Sequence, residues 1–145
     1  MSFVRFVANS FSVDLNLASG VLESVTEHAK SVYPNEGCGL LVGRQTAERF
    51  IPMRNAAASE THFEMDPGQL IAVLRDLRDA GETLIAIYHS HPHGPSEPST
   101  TDVARAYYPE AAHLIISLAA LERPQAAAFR ILDREILPIE LRVIV

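Results

Sequence analysis

The run TLIAIYHSHP, residues 83–92, joins an apolar strand to a pair of histidines and decides the fold around it. Residues 83–88 are apolar and rich in β-branched side chains, which predicts a central strand buried on both faces. This strand delivers His89 and His91 at its carboxyl end. Because alternate side chains of an extended segment point to the same side, both imidazoles can face one point. Pro92 then ends the strand, so the run predicts both the middle of a sheet and two metal-type ligands.

Helix and strand patterns occur on both sides of this run. One helix is especially well marked, because Asp66 can cap it, Pro67 suits its first turn and Gly81 follows its end. Pro138 lies in the last apolar segment, so we expect that strand to be bulged or to lie at a sheet edge. The predicted helices cover residues 19–32, 67–80 and 100–107, and the predicted strands cover residues 38–43, 49–53, 61–64, 83–88, 113–119, 127–132 and 135–145. This pattern predicts an α/β (α+β) fold in which helices flank a central mixed β-sheet.

The composition of the chain narrows its class. Its 145 residues are the usual size of one domain, so we expect a single domain over residues 1–145. The formal net charge of −6 disfavours broad binding to nucleic acid or to anionic membranes. Cys38 is the only cysteine, which excludes an internal disulfide and fits a reducing compartment. The amino terminus lacks the unbroken apolar core of a signal peptide, and no run is long enough for a membrane helix, so we expect a cytoplasmic protein.

A carboxylate follows the two histidines at a spacing that suits a metal site. A loop and the first turn of a helix can fold back to place Asp102 as a third ligand beside His89 and His91. Three nitrogen and oxygen ligands, with a fourth position left for water, are typical of catalytic zinc, although Fe, Co or Mn could occupy such a set in vitro. An alternative interpretation needs no metal, because Ser99 and Asp102 have the spacing of a helix capping box. The histidines favour the metal, and the start of the helix can position both residues.

A hydrolytic zinc site also needs a general acid or base. No glutamate adjoins the histidines, so this group must come from elsewhere in the chain. Glu36 is the candidate, because the run PNEGCG at residues 34–39 precedes a buried strand and its glycines allow close backbone approach. A glutamate in a glycine-rich turn is more often solvated, and Glu64, Glu97 and Glu110 are rival candidates.

Three further residues receive structural interpretations. His93 has the wrong parity to share a face with the two histidines, so we expect it at the surface or behind the site. Cys38 is expected to be a small buried hydrophobe. His113 begins an apolar segment and is expected to be a core or edge histidine whose hydrogen bonds are satisfied.

Taken together, these segments resemble the JAMM (MPN-plus) metalloprotease family. The pattern of that family is an upstream Glu, then His-x-His-Pro, seven residues between the second His and Ser, and Ser-x-x-Asp. This chain matches each position at the same spacing, through Glu36, His89, His91, Ser99 and Asp102. The similarity covers about residues 21–118.

The resemblance implies a mixed sheet with helices, related in layout to the cytidine deaminases and other zinc deaminases. It implies that Zn²⁺ is held by His89, His91, Asp102 and a water molecule. Glu36 would take a proton from that water and later deliver it to the leaving amine, and Ser99 would donate a hydrogen bond to the oxyanion. The short loops are similar to those of small stand-alone prokaryotic members, some of which cut after the Gly-Gly tail of ubiquitin-like or sulfur-carrier proteins. The implied enzyme is therefore a zinc metallopeptidase or isopeptidase that acts on such a tail.

Two other functions stay open at this point. A non-catalytic MPN-type scaffold would bind partner proteins without metal, although non-catalytic relatives lack parts of the motif that this chain has. A zinc amidohydrolase that acts on a small molecule would use the same residues. A zinc deaminase is excluded, because it needs His-x-Glu and Pro-Cys-x-x-Cys and this chain has one cysteine.

Overall fold

The computed structural model describes residues 13–144 of the chain. Most of the stretch that carries the signal-peptide prediction, residues 1–12, lies outside the described residues. Within them, seven strands form one mixed sheet and three helices accompany it. No helix in this part of the chain is long and apolar enough to cross a membrane. The predicted α+β fold with a mixed sheet is confirmed.

The strands and helices are interspersed along the chain. The strands are β1 (Asp14–Ala18), β2 (Cys38–Gly43), β3 (Arg49–Met53), β4 (Thr83–His91), β5 (Ala112–Ser117), β6 (Gln125–Leu132) and β7 (Glu135–Ile144). The helices are α1 (Val21–Ser31), α2 (Pro67–Ala80) and α3 (Thr100–Ala104). The order across the sheet is β1-β7-β6-β5-β4-β2-β3. The pairs β4–β5 and β1–β7 are parallel and the others are antiparallel.

The strand predicted from the opening run is β4, and it extends through both histidines to His91. It lies between β2 and β5, where His89 pairs with Cys38 on one side and with Ile115 on the other. Every residue of β2 and β5 is buried. The backbone that carries the histidines is therefore held by hydrogen bonds from two core strands.

The two long helices belong to hydrophobic clusters on opposite faces of the sheet. Tyr88 belongs to the cluster that includes the buried residues of α1. Its neighbour Ile87 belongs to the cluster that contains Leu77 of α2. Because side chains alternate along a strand, His89 and His91 share the face of Ile87. The histidines therefore lie on the α2 side of the sheet.

The helix α2 begins and ends where the sequence predicts. The Oδ1 atom of Asp66 accepts a hydrogen bond of 3.0 Å from the backbone N–H of Gln69, which satisfies one of the free donors of the first turn. Gly81 ends the helix with a φ of 70°, a left-handed conformation that suits glycine. Asp66 is also paired with Arg54 at 2.6 Å, which ties the start of α2 to the chain that follows β3.

The predicted strand over residues 61–64 is wrong. Only an isolated bridge, between Asn55 and Met65, is formed in this region. The side chain of Asn55 donates to the carbonyl of His62 at 3.2 Å and accepts from the N–H of Glu64 at 3.0 Å. One amide side chain thus provides hydrogen bonds that a neighbouring strand would otherwise supply.

The third predicted helix is shorter than expected. It ends at Ala104 instead of residue 107, and the N–H of Tyr107 donates to the carbonyl of Arg105 at 3.0 Å. A bond between residues two apart belongs to a tight turn and cannot continue a helix.

The carboxyl-terminal strand departs from its prediction as well. β7 is not at the edge of the sheet, because its second half pairs in parallel with β1, a strand that the sequence did not predict. The pairing with β1 begins at Glu140, whereas Pro138 pairs with Phe129 of β6. Pro138 therefore lies in the half of β7 that has one strand neighbour among the described residues, where its missing N–H is tolerated.

Candidate metal centre

The two histidines at the end of β4 bring their ring nitrogens together. The Nε2 atoms of His89 and His91 lie 3.0 Å apart, and the residues are 1% and 7% exposed. The Nδ1 atom of His91 lies 2.7 Å from the carbonyl of Pro95, to which it can donate a proton. The ring of Phe63 stacks on His89 with 4.7 Å between centroids. These contacts and the buried strand fix both imidazoles.

Asp102 completes a triad from the first turn of α3. Its Oδ2 atom lies 3.0 Å from the Nε2 of His89 and 3.0 Å from the Nε2 of His91. The same atom accepts a 2.9 Å hydrogen bond from the N–H of Ser99, whose Oγ accepts from the N–H of Asp102 at 3.1 Å. Both hydrogen bonds of the capping box are therefore present. The capping and triad interpretations are compatible, because the cap holds Asp102 against the histidines.

The arrangement of the three triad atoms is more favourable for binding a metal ion than for hydrogen bonds among themselves. If His91 donates from Nδ1 to Pro95 as a neutral ring, its Nε2 carries a lone pair. That lone pair then faces the Oδ2 of Asp102 at 3.0 Å, so two acceptor atoms meet unless a cation or a further proton lies between them. A carbonyl that receives the second ring nitrogen is the usual support of a metal-binding histidine. The site is compatible with a metal ion on these grounds.

The charges of the triad also favour a cation. Burial alone would raise the pKa of Asp102, but hydrogen bonds from His89, His91 and Ser99 outweigh it and hold the pKa well below its usual range. Burial lowers the pKa of His89. For His91, burial is outweighed by the contacts with Asp102 and with the carbonyl of Pro95, so the pKa is raised. An ionised carboxylate therefore lies between two imidazoles and attracts positive charge.

Glu36 lies beside this triad, in the segment that leads into β2. It is 3% exposed, and its Oε1 atom has no hydrogen-bond partner among the described residues. The pKa of Glu36 is raised to about 8. Burial is the main cause; the positive charge of His91 lowers the pKa and the negative charge of Asp102 raises it, and the value of about 8 includes both. The alternative interpretation, in which Glu36 is a solvated side chain in a glycine-rich turn, is therefore excluded. A carboxyl group that can hold a proton near neutral pH is chemically suited to proton transfer.

The other candidates from the sequence are not part of the triad. The rival glutamates are all exposed, namely Glu64, Glu97 and Glu110. His93 is exposed and pairs with Glu60 at 2.8 Å, in agreement with its expected place at the surface. Cys38 is buried, and burial raises the pKa of its thiol to about 12, so it packs as a small hydrophobe.

Ser90, between the two histidines, is a residue whose contacts the sequence reasoning missed. Its Oγ accepts a 2.7 Å hydrogen bond from the N–H of Gly37, and its own N–H donates to the carbonyl of Gly37 at 3.0 Å. A Cβ atom at Gly37 would lie 2.5 Å from the hydroxyl of Tyr88, so only glycine fits here. Gly37, the residue next to Glu36, is thus held by Ser90 through both its N–H and its carbonyl group. Strand alternation was the available signal, because it turns Ser90 away from the metal face and toward this turn.

A cavity next to the triad was also missed. It has a volume of about 410 Å³, and its lining includes His89, Asp102, Phe63, Leu70, Tyr108 and His113. His113 is buried, but its Nε2 has no hydrogen-bond partner among the described residues, so the expectation of a satisfied histidine is wrong. The sequence could not reveal the cavity, because its walls come from four separate segments.

The site combines two buried imidazoles at the end of a core strand, a carboxylate from a neighbouring helix and a protonatable carboxyl group beside them. These groups are typical of a metal-dependent hydrolase. Comparison with known proteins places the chain within that class. It belongs to the Prok-JAB family, the prokaryotic homologs of the JAB domain, whose family profile matches residues 18–132. The resemblance to the JAMM (MPN-plus) proteins is thereby confirmed.

Several relatives carry an activity in their names. The chain is 35% identical over 122 residues to the CysO-cysteine peptidase of Mycobacterium tuberculosis, covering 82% of this chain and 84% of the relative. It is 34% identical over 111 residues to a desampylase of Haloferax volcanii, covering 71% and 80%. It is 42% identical over 93 residues to a probable TtuB-protein conjugate cleaving protease of Thermus thermophilus, covering 63% of each chain. Like these relatives, the chain is a JAMM-type hydrolase.

Solved structures share this fold. A protein from Desulfitobacterium hafniense, known from a solution structure, matches with a TM-score of 0.81 and 34% identity, covering 90% of this chain and 92% of that one. A JAB1/MPN domain protein from Archaeoglobus fulgidus matches with a TM-score of 0.61 and 22% identity, covering 90% and 97%. The second likeness concerns the fold alone.

Proposed function

We propose that this protein is a zinc-dependent metallopeptidase or isopeptidase that hydrolyses the amide bond after the C-terminal tail of a ubiquitin-like or sulfur-carrier protein. The observation that carries the proposal is the buried, unpartnered carboxyl group of Glu36 beside the His89, His91 and Asp102 triad. The named substrates of the relatives, CysO and TtuB conjugates, support the class of substrate. We further propose that residues 1–145 form one JAMM/MPN domain and that it acts in the cytoplasm.

In this proposal His89, His91 and Asp102 would hold zinc. Two nitrogens and one carboxylate oxygen are a donor set that Zn²⁺ prefers. A zinc ion held there would supply Lewis acidity, which lowers the pKa of water and polarises the carbonyl that is attacked. The support of His91 by Pro95 and of Asp102 by Ser99 keeps both ligands in place without any movement of the backbone.

Glu36 performs the proton transfers in this mechanism. Its carboxylate accepts a proton from the attacking water and later delivers it to the leaving amine, so the amine departs neutral. A cation held at the triad would favour the ionised form of Glu36, and burial favours the protonated form. Both forms are therefore accessible during one turnover.

Ser99 stabilises the charge that develops on the substrate oxygen. Its Oγ accepts the N–H of Asp102, and this bond leaves the hydroxyl proton available for donation. A donor directed at a developing oxyanion contributes about 10²–10³ in rate.

The test is the variant Glu36→Gln, prepared with zinc and assayed on a sulfur-carrier protein joined through its terminal carboxyl group to a reporter amine. We expect zinc content to stay near that of the wild type while kcat falls by about 10²–10⁴, the usual contribution of general acid–base catalysis. Glu97→Gln, which changes an exposed carboxylate, is the matched control and should leave kcat unchanged. Full activity in Glu36→Gln would overturn the proposal.

Metal analysis separates the proposal from a scaffold that only binds partners. Protein purified without added zinc should contain about one zinc ion per chain, because the ligands are preassembled. A protein that comes out empty and cannot be loaded would favour the scaffold.

Hydrolysis of a small-molecule amide is a second candidate, favoured by the cavity of about 410 Å³ beside the triad. It predicts that small amides are cleaved with a higher kcat/KM than the protein conjugate. The reverse order favours the conjugate.

A further inference from the structure

The cavity beside the triad is continuous with the proposed reaction site. His89 and Asp102 belong to both the triad and the cavity wall. A substrate group bound in the cavity would therefore be attached within a few bonds of the amide that is cleaved at the triad. Its volume of about 410 Å³ lies in the range of about 300–1,000 Å³ that is usual for ligand pockets.

The walls of this cavity are mainly apolar. Phe63 and Met65 come from the segment before α2, Leu70 from α2, Ile87 from β4 and Tyr108 from the segment after α3. Ile87 belongs to the buried hydrophobic cluster that contains Leu77, and the other four are partly buried and pack against it, so the wall borders the core. Such a lining favours an apolar group of the ligand.

One polar side chain of the lining is buried without a partner. His113 is 7% exposed, and its Nε2 forms no hydrogen bond within the described part of the chain. In the sheet it pairs with Ile87, two positions along from the pair of His89 with Ile115 and therefore on the same face. Burial lowers the pKa of His113 to about 4, and His89 lowers it as well, so the ring is neutral at pH 7 and offers one donor and one acceptor. A buried polar group with no partner is unfavourable, and a ligand that bonds to it recovers this cost.

We propose that this cavity is the subsite for the substrate side chain next to the cleaved amide, and that it selects an apolar side chain with a hydroxyl or amide group at its tip, which bonds to His113. The inference rests on the proposed peptidase function and adds a specificity-determining residue to it. Phe63, Leu70 and Tyr108 would hold the apolar part of that side chain, and His113 would distinguish its end.

The kinetic test uses two side chains of equal size. Norleucine and 5-hydroxynorvaline differ only in a terminal methyl or hydroxyl group, and each is placed on the acyl side or on the amine side of the cleaved amide in four otherwise identical substrates. We expect the wild type to favour the hydroxyl substrate by about 3–10-fold in kcat/KM at one of the two positions, the equivalent of one hydrogen bond. In His113→Phe, which keeps a ring of similar size, this preference should disappear. No preference at either position, or a preference that survives in His113→Phe, would overturn the proposal.

A second measurement does not depend on catalysis or on metal. Metal-free protein is titrated with N-acetyl-5-hydroxynorvaline amide or with N-acetylnorleucine amide, and the imidazole resonances of His113 are followed by NMR. We expect a saturable shift that is larger for the hydroxyl compound. An unmoved His113 signal would overturn the subsite, whereas a moved signal in a protein that cleaves no amide would overturn only the peptidase function.

Two variants on α2 test the cavity independently, in case His113→Phe does not fold. Leu70→Phe enlarges another side chain of the lining and so narrows the cavity while His113 is kept. It should weaken binding of both amides in the NMR titration by about tenfold. Ile71→Phe places the same ring on a neighbouring residue that is 59% exposed and outside the cavity, and it should bind both amides as the wild type does. Equal binding by all three proteins would count against the cavity.

Discussion

Two carboxyl groups meet at this site, and their surroundings act on them in opposite ways. Asp102 receives hydrogen bonds from His89, His91 and the N–H of Ser99, which hold its pKa low in spite of burial. Glu36 is buried with an unpartnered oxygen, and burial raises its pKa to about 8. The hydrogen bonds stabilise the charged form of the first group, and their absence destabilises the charged form of the second. A carboxylate that stays ionised suits a metal ligand, whereas one that can hold a proton suits acid–base catalysis.

The largest effect should come from removing the negative charge of Asp102, the carboxyl group that stays ionised. We expect Asp102→Asn to lose both the metal and the activity, because the amide keeps the shape of the cap but is a poor zinc ligand. Metal content after dialysis and kcat report the two losses. Glu36→Gln is the contrasting variant, since it should keep the metal. Equal metal content in the two variants would remove the distinction between the two carboxyl groups.

The second prediction concerns the pH dependence of stability in metal-free protein. The pKa of Glu36 is about 8 in the folded state against an ordinary value of 4.5, so an unfolded chain releases this proton first as pH rises. Stability is unaffected below the lower pKa, falls through the window between the two values, and is constant above the upper one. The free energy of unfolding of Glu36→Gln relative to the wild type should therefore grow from pH 5 to pH 8, by at most about 1.4 kcal/mol per pH unit.

Urea titrations in the presence of a chelator measure this difference. Because both proteins contain the same triad, subtracting one curve from the other leaves the contribution of Glu36. A difference that shrinks as pH rises would mean that the folded state favours the ionised form.

A third prediction separates the two proposed roles of Ser99. Ser99→Ala removes both the cap and the hydroxyl donor, whereas Ser99→Gly removes the donor but keeps most of the capping energy. We expect both variants to lose about 10²–10³ in kcat, while only Ser99→Ala loses stability, by about 1 kcal/mol. If the activity loss followed the cap, Ser99→Gly would remain active.

The smallest effect should come from the support of Glu36. Ser90→Ala removes the acceptor for the N–H of Gly37 and lets the adjacent Glu36 shift. We expect kcat to fall by about tenfold, less than the 10²-fold cost of a 1 Å misplacement, with unchanged KM and zinc content. Ser90→Thr, which keeps the hydroxyl, should restore most of the rate. A Thr variant as slow as the Ala variant would show that packing, and not this hydrogen bond, matters.

The central strands and the triad could be predicted from the sequence for a simple reason. Residues 38–43 and 83–88 are continuous apolar runs, and buried strands of this kind have few alternatives. The motif from His89 to Asp102 lies within one short loop and helix start, so its geometry is mainly local. Residues 61–64 and Pro138 were misjudged, because the side chain of Asn55 and the pairing with β1 are contacts between distant segments.

By itself, the sequence determined the chemistry that is available: two histidines on one face of a strand, a capped carboxylate after them and a glutamate in a turn before a core strand. The tertiary structure decided which of these groups are charged and what lies beside them. Burial separates the pKa values of Glu36 and Asp102, and packing of four segments leaves a cavity with His113 in its wall. Desolvation and cavities depend on what surrounds a residue in space, and a local pattern of residues does not contain that information.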